Sequence, residues 1–322
     1  MSVILITGGS GFLGSYLARG LADTGAELVT THFHEPRRAA VGAPPTAARP
    51  EALDIRDGAA VRRLIERIRP DVVYHFAGQA YVVPSWDDPA GTFDVNLSGT
   101  LHLLEALRRV QPRCRVVFAG SGTEYGEPTE VPTPETAALR PTSPYAASKA
   151  AADLLCFQYF ASFGLPVLRL RIFGTTGIGK RGDVCNDFAS QVAAIESRDD
   201  DARMRVGALD RVRDLLDVRD AVRGMIRVAD RGAPGEAYNI GRGTGVEIRE
   251  VLDRLVEMAR RRITVEPDDQ RLRRVDEAAH VAEVSRLRRL GWTPEIPLEE
   301  TLREILGDWR TRQPTALAAT PP

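Results

Sequence analysis

Two side chains in the middle of the chain have the spacing of a proton-transfer pair. Tyr145 and Lys149 are four residues apart in Ser143-Pro-Tyr-Ala-Ala-Ser-Lys149, so they share one face of a helix. Ser143 is a favourable N-cap residue and Pro144 a favourable first helical residue, which places Tyr145 in the first turn, where the helix dipole favours negative charge. The Lys149 ammonium also favours the phenolate. The sequence therefore predicts a Tyr145 pKa below its usual value of about 10 and proton exchange near neutral pH.

Two further observations support a catalytic site here. Ser121 lies in Phe118-Ala-Gly-Ser-Gly-Thr-Glu-Tyr-Gly126, at the end of a predicted buried strand, where its hydroxyl would hold a substrate oxygen. Among the 43 Lys and Arg residues only Lys149 and Lys180 are lysines, so the chain uses arginine wherever either cation would serve. A lysine after Tyr145 thus favours a site that needs a compact ammonium. The alternative is a tyrosine and a lysine on a solvated helix face.

A glycine-rich turn near the N-terminus predicts a dinucleotide site. The strand Val3 to Thr7 runs into a G-x-x-G-x-x-G segment that opens an amphipathic helix over Phe12 to Ala22. Small residues there allow a tight bend, close approach of backbone N–H groups to a pyrophosphate, and packing of the helix on the strand. An ordinary tight turn is the alternative. The predicted cofactor residues in this turn are Gly8, Gly11, Phe12, Leu13 and Gly14.

The end of the second strand indicates which dinucleotide binds. A site for NAD(H) usually has an acidic residue there to hold both ribose hydroxyls. The strand Glu27 to Thr31 is followed by His32, so the acid is missing, and Arg37 and Arg38 follow in the adjoining loop, where a guanidinium can bind a 2′-phosphate. The pattern favours NADP(H), with NAD(H) possible. The alternative is that both arginines are solvated loop charges.

The loop after the third strand offers a candidate for the adenine end of the cofactor. Leu53-Asp-Ile55 lies where the Asp54 carboxylate can accept a hydrogen bond from the adenine amino group. Asp54 and Ile55 are therefore predicted cofactor residues, although a surface turn would show the same pattern.

The elements that must position these residues alternate along the first half of the chain. Short β-branched runs alternate with helical periodicity, which predicts a doubly wound parallel α/β sheet of the Rossmann type. After Gly174 the pattern loosens, which predicts a smaller C-terminal α/β lobe over the carboxyl edge of the sheet. The predicted domains are a dinucleotide-binding and catalytic domain over 1–173 and a mainly substrate-binding lobe over 174–312, with some interleaving. Residues 313–322 are predicted to form a flexible tail.

Composition and charge argue against several classes of protein. The 322 residues have 43 Lys and Arg against 44 Asp and Glu, and a net charge of −1 gives no sign of nucleic-acid binding. No run of about 18 apolar residues and no leader pattern is present, which predicts no membrane partner and a cytoplasmic location. Cys114, Cys156 and Cys185 form no C-x-x-C pair and have no His cluster nearby, so they predict reduced, mostly buried thiols and no metal site.

The motifs together resemble an extended short-chain dehydrogenase/reductase that acts on nucleotide sugars, of the NAD-dependent epimerase/dehydratase family. The resemblance covers nearly the whole chain. Segments 184–191 and 205–214 are most similar to the branch with GDP-mannose 4,6-dehydratase and GDP-4-keto-6-deoxy-mannose reductase, which implies a GDP-sugar substrate. Further matching segments are Asp54-Ile55, His75-Phe-Ala-Gly78, Asn96-Leu-Ser-Gly-Thr100, Arg171-Ile-Phe173, Arg213-Asp214, Tyr238-Asn-Ile-Gly241 and Leu290-Gly-Trp-Thr-Pro294.

The resemblance implies a role for each matching position. Tyr145 is implied to be the acid/base, Lys149 the partner that lowers its pKa and binds ribose, and Ser121 the hydroxyl that positions the substrate oxygen. Ala77 and Gly78 are implied to line the cofactor. Two arginines are implied to hold the nucleotide end of the substrate, although each could be a surface charge. The implied substrate residues are Ser121, Thr123, Glu124, Val184, Asp187, Arg213 and Arg273.

The chain departs from the family pattern at two places. Dehydratases of the family have a Glu two residues after the catalytic Ser or Thr, and this chain has Thr123 there. Glu124 is adjacent, but neighbouring side chains on an extended segment point in opposite directions, which argues against dehydration. Gly174 replaces the usual Asn after R-x-F, and Ile178 replaces Pro, so the diphosphate or sugar pocket is predicted to be atypical.

Three reactions are compatible with these residues. The favoured one is an NADPH-dependent 4-ketoreductase of a nucleoside-diphosphate (GDP) 4-keto-hexose, in which Tyr145 protonates the developing alkoxide. A 4-epimerase that retains NAD(P) would use the same Ser, Tyr and Lys, but the missing ribose-binding acid favours an exchangeable NADPH. A 4,6-dehydratase comes third because of Thr123. A dinucleotide-sensing scaffold, which would not need the three residues, comes last.

Two long helices, predicted over 92–109 and 143–163, indicate a homodimer. The second helix carries more apolar side chains than one buried face can hold, namely Leu154, Leu155, Phe157, Tyr159, Phe160 and Phe163. A large exposed apolar patch normally marks an interface. The resemblance implies that the two helices pair with their copies in a two-fold four-helix bundle. The alternative is that the second lobe covers this surface.

Overall fold

The computed structural model describes residues 2–33, 48–197, 202–272 and 276–312. Arg37, Arg38, Arg273 and the predicted tail 313–322 lie outside the described residues. The strands are β1 (Val3–Thr7), β2 (Glu27–His32), β3 (Ala48–Ala52), β4 (Val72–His75), β5 (Arg115–Ser121), β6 (Val167–Ile172), β7 (Gly174–Thr176), β8 (Arg203–Val206), β9 (Val212–Asp217), β10 (Ala237–Ile240), β11 (Gly245–Glu247), β12 (Thr264–Pro267) and β13 (Ala279–His280). The helices are α1 (Phe12–Gly20), α2 (Gly58–Ile68), α3 (Val82–Asp87), α4 (Pro89–Phe93), α5 (Gly99–Val110), α6 (Pro144–Phe163), α7 (Val184–Ser197), α8 (Val218–Arg231), α9 (Ile248–Glu257), α10 (Ser285–Arg289) and α11 (Leu298–Arg312).

Within the described residues, seven parallel strands form one sheet in the order β10-β6-β5-β4-β1-β2-β3. Alternate residues of a strand point to opposite faces, and both faces are apolar. Leu5 packs beneath α2, α5 and α6, whereas Ile4 and Ile6 pack beneath α1 and α8. The doubly wound α/β fold predicted from the sequence is confirmed.

The strand order reverses between β1 and β4, which creates a crevice at the carboxyl ends of these strands. A buried histidine of β4 connects this edge of the sheet to α5. His75 Nδ1 lies 2.7 Å from Thr7 Oγ1, and His75 Nε2 lies 3.0 Å from Thr100 Oγ1 on α5. Burial lowers the pKa of His75 to about 3, so the ring is neutral and has a structural role here.

The second half of the chain contributes to both parts of the molecule. β10 extends the large sheet beside β6, and α8 covers one of its faces, as the predicted interleaving requires. The remaining strands β7, β9, β11 and β13 form a smaller sheet, and β8 pairs with β12. An apolar cluster of α7, α9 and α11 forms the core of this part. The domain limits at 173 and 174 stay a prediction.

The predicted helix over 92–109 is interrupted. Residues Asp94–Ser98 form a π-helical turn between α4 and α5. Such turns occur often at functional sites because they redirect side chains. Among the described residues no helix has both the length and the apolar character needed to cross a membrane, and the cytoplasmic location stays a prediction. The three cysteines are buried free thiols.

Candidate active site

The turn between β1 and α1 has the geometry of a pyrophosphate cradle. Gly8 has φ +69°, and a Cβ on it would lie 2.8 Å from Ala77 N. A side chain at Gly14 would overlap the Gly8 carbonyl group. Among the described residues no side chain caps the helix start at Gly11, so the first-turn N–H groups are available to an anion. This cradle fits the dinucleotide that the sequence predicts.

The adenosine end lies at β2 and the loop after β3. His32 is the last residue of β2, where an acid would stand in a NAD(H) site. The Asp54 carboxylate accepts hydrogen bonds from Arg56 at 3.0 Å (Nε) and 2.8 Å (Nη2), and this contact lowers the Asp54 pKa. The Arg56 guanidinium also lies 5.3 Å from the Phe33 ring centroid. Sequence reasoning missed Arg56, which brings a cation to the end of β2.

The predicted cofactor contact of Ile55 is not one that its side chain can make. Its side chain is buried and packs against Gly99, where an added Cβ would lie 2.7 Å away. The Ile55 carbonyl lies 3.2 Å from His102 Nδ1. Any cofactor contact of Ile55 must therefore come from its backbone, because the side chain belongs to the core.

The turn after β4 reaches the catalytic lysine. A Cβ on Gly78 would lie 3.4 Å from Lys149 Nζ and 2.8 Å from Asn96 Oδ1. Asn96, in the π-helical turn, accepts from Gln79 N at 2.8 Å and donates to Gln79 O at 3.1 Å and Ser148 Oγ at 2.9 Å. Asn96 thus ties the Gly78 turn to α6. Because the sequence predicts an unbroken helix over 92–109, it does not reveal the positioning role of Asn96. The only available signal was a polar residue on the face of that helix that is buried.

The structure brings Ser121, Tyr145 and Lys149 together, as predicted. Ser143 Oγ accepts from Ala146 N at 3.2 Å and begins α6. Lys149 Nζ donates to Ala119 O of β5 at 2.9 Å, and Ser121 ends the same strand. The nearby Ser121 hydroxyl favours the Tyr145 phenolate. One strand end and the first turns of one helix therefore form the site.

The prediction that the Tyr145 pKa is lowered is wrong for the protein alone. Burial raises the pKa of Tyr145 to about 12, and the Glu124 carboxylate adds to this rise. Burial also lowers the pKa of Lys149 to about 8. The Lys149 ammonium is directed at the Ala119 carbonyl, and desolvation of the phenol outweighs its field. Tyr145 is therefore protonated at neutral pH, the state that a proton donor needs.

Glu124 does not face the substrate side of Ser121. Residues Gly122–Tyr125 form a 3₁₀ turn rather than the extended segment predicted, and Ser121 and Glu124 form a capping box. Glu124 is fully buried, and its Oε1 accepts from Ser121 N at 2.6 Å. The implied substrate contact of Glu124 is therefore wrong. Thr123 is half-buried, and its hydroxyl lies 2.9 Å from Ser121 Oγ, beside the predicted site.

Behind Ser121 lies a buried group of charges that sequence reasoning missed. Asp153 of α6 accepts from Arg169 Nη1 at 2.6 Å and from Arg171 Nη2 at 3.1 Å. Glu124 Oε2 has no hydrogen-bond partner among the described residues, and it lies 3.6 Å from Arg171 Nε. Burial and the Asp153 charge raise the pKa of Glu124 to about 8, and Arg171, already bonded to Asp153, offsets only part of this.

The implied nucleotide-end residues lie in the smaller part of the molecule. Arg213 of β9 forms an ion pair with Asp276, and its Nη1 donates to Glu277 O at 2.9 Å. Val184 begins α7, and Asp187 on the same helix accepts from Arg271 Nη1 at 2.9 Å. Arg271 is thus a further cation at this place.

A histidine that no motif predicted lies next to Ser121. His280 stacks on Phe173 with ring centroids 4.4 Å apart, and its Nε2 would lie 2.9 Å from a Cβ on Gly122. It stands beside Arg213 in the pairing of β13 with β9. The separation in sequence between Ser121 and His280 explains why periodicity gave no signal.

Glu124 gives a prediction for stability against pH. Its folded pKa is above the unfolded value, so its favourable contribution is complete below about pH 4.3 and decreases as the pH rises through about 8. Glu124→Gln keeps an acceptor for Ser121 N but cannot titrate. We expect the free energy of unfolding of the variant, relative to wild type, to increase between pH 5 and 8 in urea titrations. A constant difference across this range would contradict the assignment.

The chain is similar to known proteins over most of its length. The family model described as GDP-mannose 4,6 dehydratase matches residues 5–305. GDP-6-deoxy-D-mannose reductase from Pseudomonas aeruginosa is 36% identical over 247 residues, which are 76% of this chain and 81% of that protein. UDP-glucose 4-epimerase from Streptomyces lividans is 33% identical over 308 residues, which are 90% of this chain and 91% of that protein.

A solved structure is similar over almost the whole chain. The structure of RMD from Pseudomonas aeruginosa, complexed with NADPH, has a TM-score of 0.83 and 32% identity, and the match covers 97% of this chain and 100% of that chain. The match of the family model over most of the length, together with the site around Ser121, Tyr145 and Lys149, leads to one assignment. The chain belongs to the GDP-mannose 4,6 dehydratase family of extended short-chain dehydrogenases/reductases.

Proposed function

We propose that the chain is an NADPH-dependent 4-ketoreductase of a nucleoside-diphosphate 4-keto-hexose, with a GDP-sugar as the favoured substrate. One observation supports reduction over dehydration: the carboxylate next to Ser121, that of Glu124, is turned into the interior and bonded to Ser121 N. A dehydratase needs a base that faces the sugar. The relative from Pseudomonas aeruginosa named GDP-6-deoxy-D-mannose reductase supports both the reaction and the nucleotide.

The three site residues divide the work of the reaction. A nicotinamide dinucleotide, when bound, supplies hydride to the C4 carbonyl carbon. Ser121 donates a hydrogen bond to the C4 oxygen, and Tyr145 transfers its hydroxyl proton to that oxygen as the carbonyl is reduced. Lys149, one turn further along α6, provides the charge that stabilises the resulting phenolate. The raised Tyr145 pKa fits this direction, because the proton to be donated is present at neutral pH.

The cofactor and substrate residues follow from the same arrangement. The turn Gly8 to Gly14 would hold the pyrophosphate, His32 and Asp54 would contact the adenosine end, and Ala77 and Gly78 would contact the nicotinamide ribose. Arg213, Val184 and Asp187 lie on the elements that would hold the nucleotide of the substrate. Arg271, which contacts Asp187, is positioned to share this task.

A 4-epimerase is the second candidate. The match to UDP-glucose 4-epimerase from Streptomyces lividans, which spans 90% of this chain, favours it. Epimerisation requires the same three residues but also a retained cofactor that first accepts and then returns hydride. The coenzyme preference therefore distinguishes the two reactions.

Tyr145→Phe tests the role of the phenol. The ring still fills its place, but no proton can be donated, so we expect turnover of a nucleoside-diphosphate 4-keto-6-deoxyhexose to fall by about 10² to 10⁴-fold. NADPH affinity, measured by fluorescence titration, is expected to stay nearly unchanged and serves as the control for folding. If the variant kept more than half of the wild-type turnover, the assignment of Tyr145 would be wrong.

Titration with NADPH and NADH tests the coenzyme. His32 cannot accept hydrogen bonds from both ribose hydroxyls as a carboxylate does, whereas an arginine of the adjoining loop can pair with a 2′-phosphate. We expect NADPH to bind at least about tenfold more tightly. His32→Asp is the matched variant and is expected to shift the preference toward NADH. Equal or tighter wild-type binding of NADH would place the epimerase ahead of the reductase.

We also propose that α5 and α6 pair with their copies in a homodimer. Both helices carry exposed apolar side chains, called the α5–α6 patch, in which Leu154 and Phe157 of α6 are 58% and 45% exposed. Leu101 of the neighbouring helix α5 is also exposed. Leu154 and Phe157 are three residues apart and share one face of α6. An isologous contact would cover these side chains with one self-complementary surface.

Phe157→Glu tests the dimer. A charge in the centre of a buried apolar interface is costly, so we expect light scattering at micromolar concentration to give a dimer mass for wild type and a monomer mass for the variant. Val265→Glu, at an exposed apolar position of β12, is the control and should leave the mass unchanged. Phe160 is unsuitable because its ring packs against Gly235. A monomeric wild type would refute the proposal.

A further inference from the structure

The second lysine of this arginine-rich chain lies beside the dinucleotide turn. Lys180 is in the loop Gly177-Ile-Gly-Lys-Arg-Gly182, between β7 and α7. Its Nζ lies 5.0 Å from the centroid of the Phe12 ring, and Phe12 is the first residue of α1. The side chain is half-buried, and within the described residues no hydrogen bond or ion pair holds the ammonium. Residues 168 positions apart in sequence thus place a cation at the start of the pyrophosphate-binding helix.

The loop that carries Lys180 is fixed to α1. Tyr16 of α1 donates from its hydroxyl to Ile178 O at 3.1 Å, and Asn186 Nδ2 donates to Gly177 O at 3.1 Å. Gly177 has φ +155°, and a Cβ on it would lie 3.7 Å from Phe12 Cζ and 2.7 Å from Val218 Cγ1. These contacts fix the position of the loop backbone, and Lys180 therefore lies next to the start of α1.

The carboxylate that acts on the Lys180 charge is already engaged in other hydrogen bonds. Asp183 lies close enough to act on the Lys180 charge, but it accepts from Thr176 Oγ1 at 2.5 Å and from Asn186 N at 3.0 Å at the start of α7. Burial lowers the pKa of Lys180, which shows that the charged form is destabilised where it stands. A half-buried ammonium beside a helix N-terminus that no side chain of the described residues caps is therefore suited to an anion that both can share.

We propose that Lys180 is a ligand of the cofactor pyrophosphate and closes, from the second half of the chain, the cradle formed by Gly8 to Gly14. The inference rests on the proposed dinucleotide function. A compact ammonium binds phosphate as a point charge without the planar geometry that a guanidinium requires, and this accounts for a lysine where the chain otherwise uses arginine. The pyrophosphate then bridges two parts of the fold that are distant in sequence.

Dinucleotide affinity of Lys180→Met tests the inference. Methionine keeps most of the length and an apolar stem but has no charge, so we expect the Kd for NADPH to rise at least about tenfold. The Kd for NADH is expected to rise by the same factor, because both coenzymes share the pyrophosphate. Arg181→Met removes the adjacent, exposed cation and is the matched control, with an expected change below about twofold. Unchanged affinity of Lys180→Met for both coenzymes would overturn the inference.

The wild-type titration separates this inference from the proposed function. If wild type binds NADPH and Lys180→Met binds it equally well, only the role of Lys180 is refuted. If wild type binds neither coenzyme, the proposed function fails and the inference fails with it. A larger loss for NADPH than for NADH would assign Lys180 to the 2′-phosphate and would also refute the pyrophosphate contact.

Lysine labelling gives a second readout that does not depend on activity. With only Lys149 and Lys180 present, an amine-reactive reagent and peptide mass spectrometry can follow each lysine separately. We expect NADPH to protect Lys180, and GDP or UDP to leave its labelling unchanged. Protection by a nucleoside diphosphate but not by NADPH would assign Lys180 to the substrate and overturn the inference.

Discussion

The site depends on one buried carboxylate, that of Asp153. It joins α6 to β6 through Arg169 and Arg171, all three side chains lying in the interior next to the end of β5. A buried ion pair is costly to form unless its geometry satisfies both partners, and removal of one partner is strongly destabilising. Apolar residues occur around much of α6, so hydrophobic burial alone would allow several rotations of the helix. The fixed direction of Asp153 selects the rotation that places Tyr145 and Lys149 beside Ser121.

The same charges, together with burial, explain the protonation state of Glu124 beside the catalytic groups. Arg171 is committed to Asp153, so Glu124 receives only partial compensation, and its pKa rises to about 8. The carboxyl group remains bonded to Ser121 N and turned away from the sugar. Burial, with a smaller addition from Glu124, raises the pKa of Tyr145 to about 12. The buried charges thus hold Ser121 in place and withhold a base from the sugar, and burial keeps the phenol of Tyr145 protonated, a combination that suits reduction of a carbonyl group.

The sequence was sufficient where the determining interactions are local. The Ser143 cap, the spacing of Tyr145 and Lys149, and the turn before α1 all depend on neighbours within a few residues, and the structure shows each of them. The parallel α/β fold followed from alternating periodicity. The prediction for Glu124 was wrong because a capping box converted an expected extended segment into a 3₁₀ turn.

Burial and distant contacts explain the other differences. The Tyr145 pKa was misjudged because desolvation depends on tertiary packing, which spacing does not report. His280 beside Gly122 and Lys180 beside Phe12 are contacts between residues far apart in the chain. Only the composition pointed to Lys180. Lysine is rare in this chain, so a lysine at a given position suggests that arginine would not serve there.

The departure of Gly174 from the family pattern has a structural cause in β9. Gly174 pairs with β9 so closely that any side chain would overlap the Asp214 carbonyl group. The Asp214 side chain is buried and accepts from the backbone N–H groups of Arg242, Gly243 and Ala282 at 2.6, 2.9 and 3.2 Å, so β9 cannot move away without breaking three bonds. Arg213 precedes Asp214 and points to the other side of β9, where Asp276 holds its guanidinium. The position of β9 therefore accounts both for glycine instead of asparagine at position 174 and for the orientation of Arg213. A substitution at either residue would require β9 to shift.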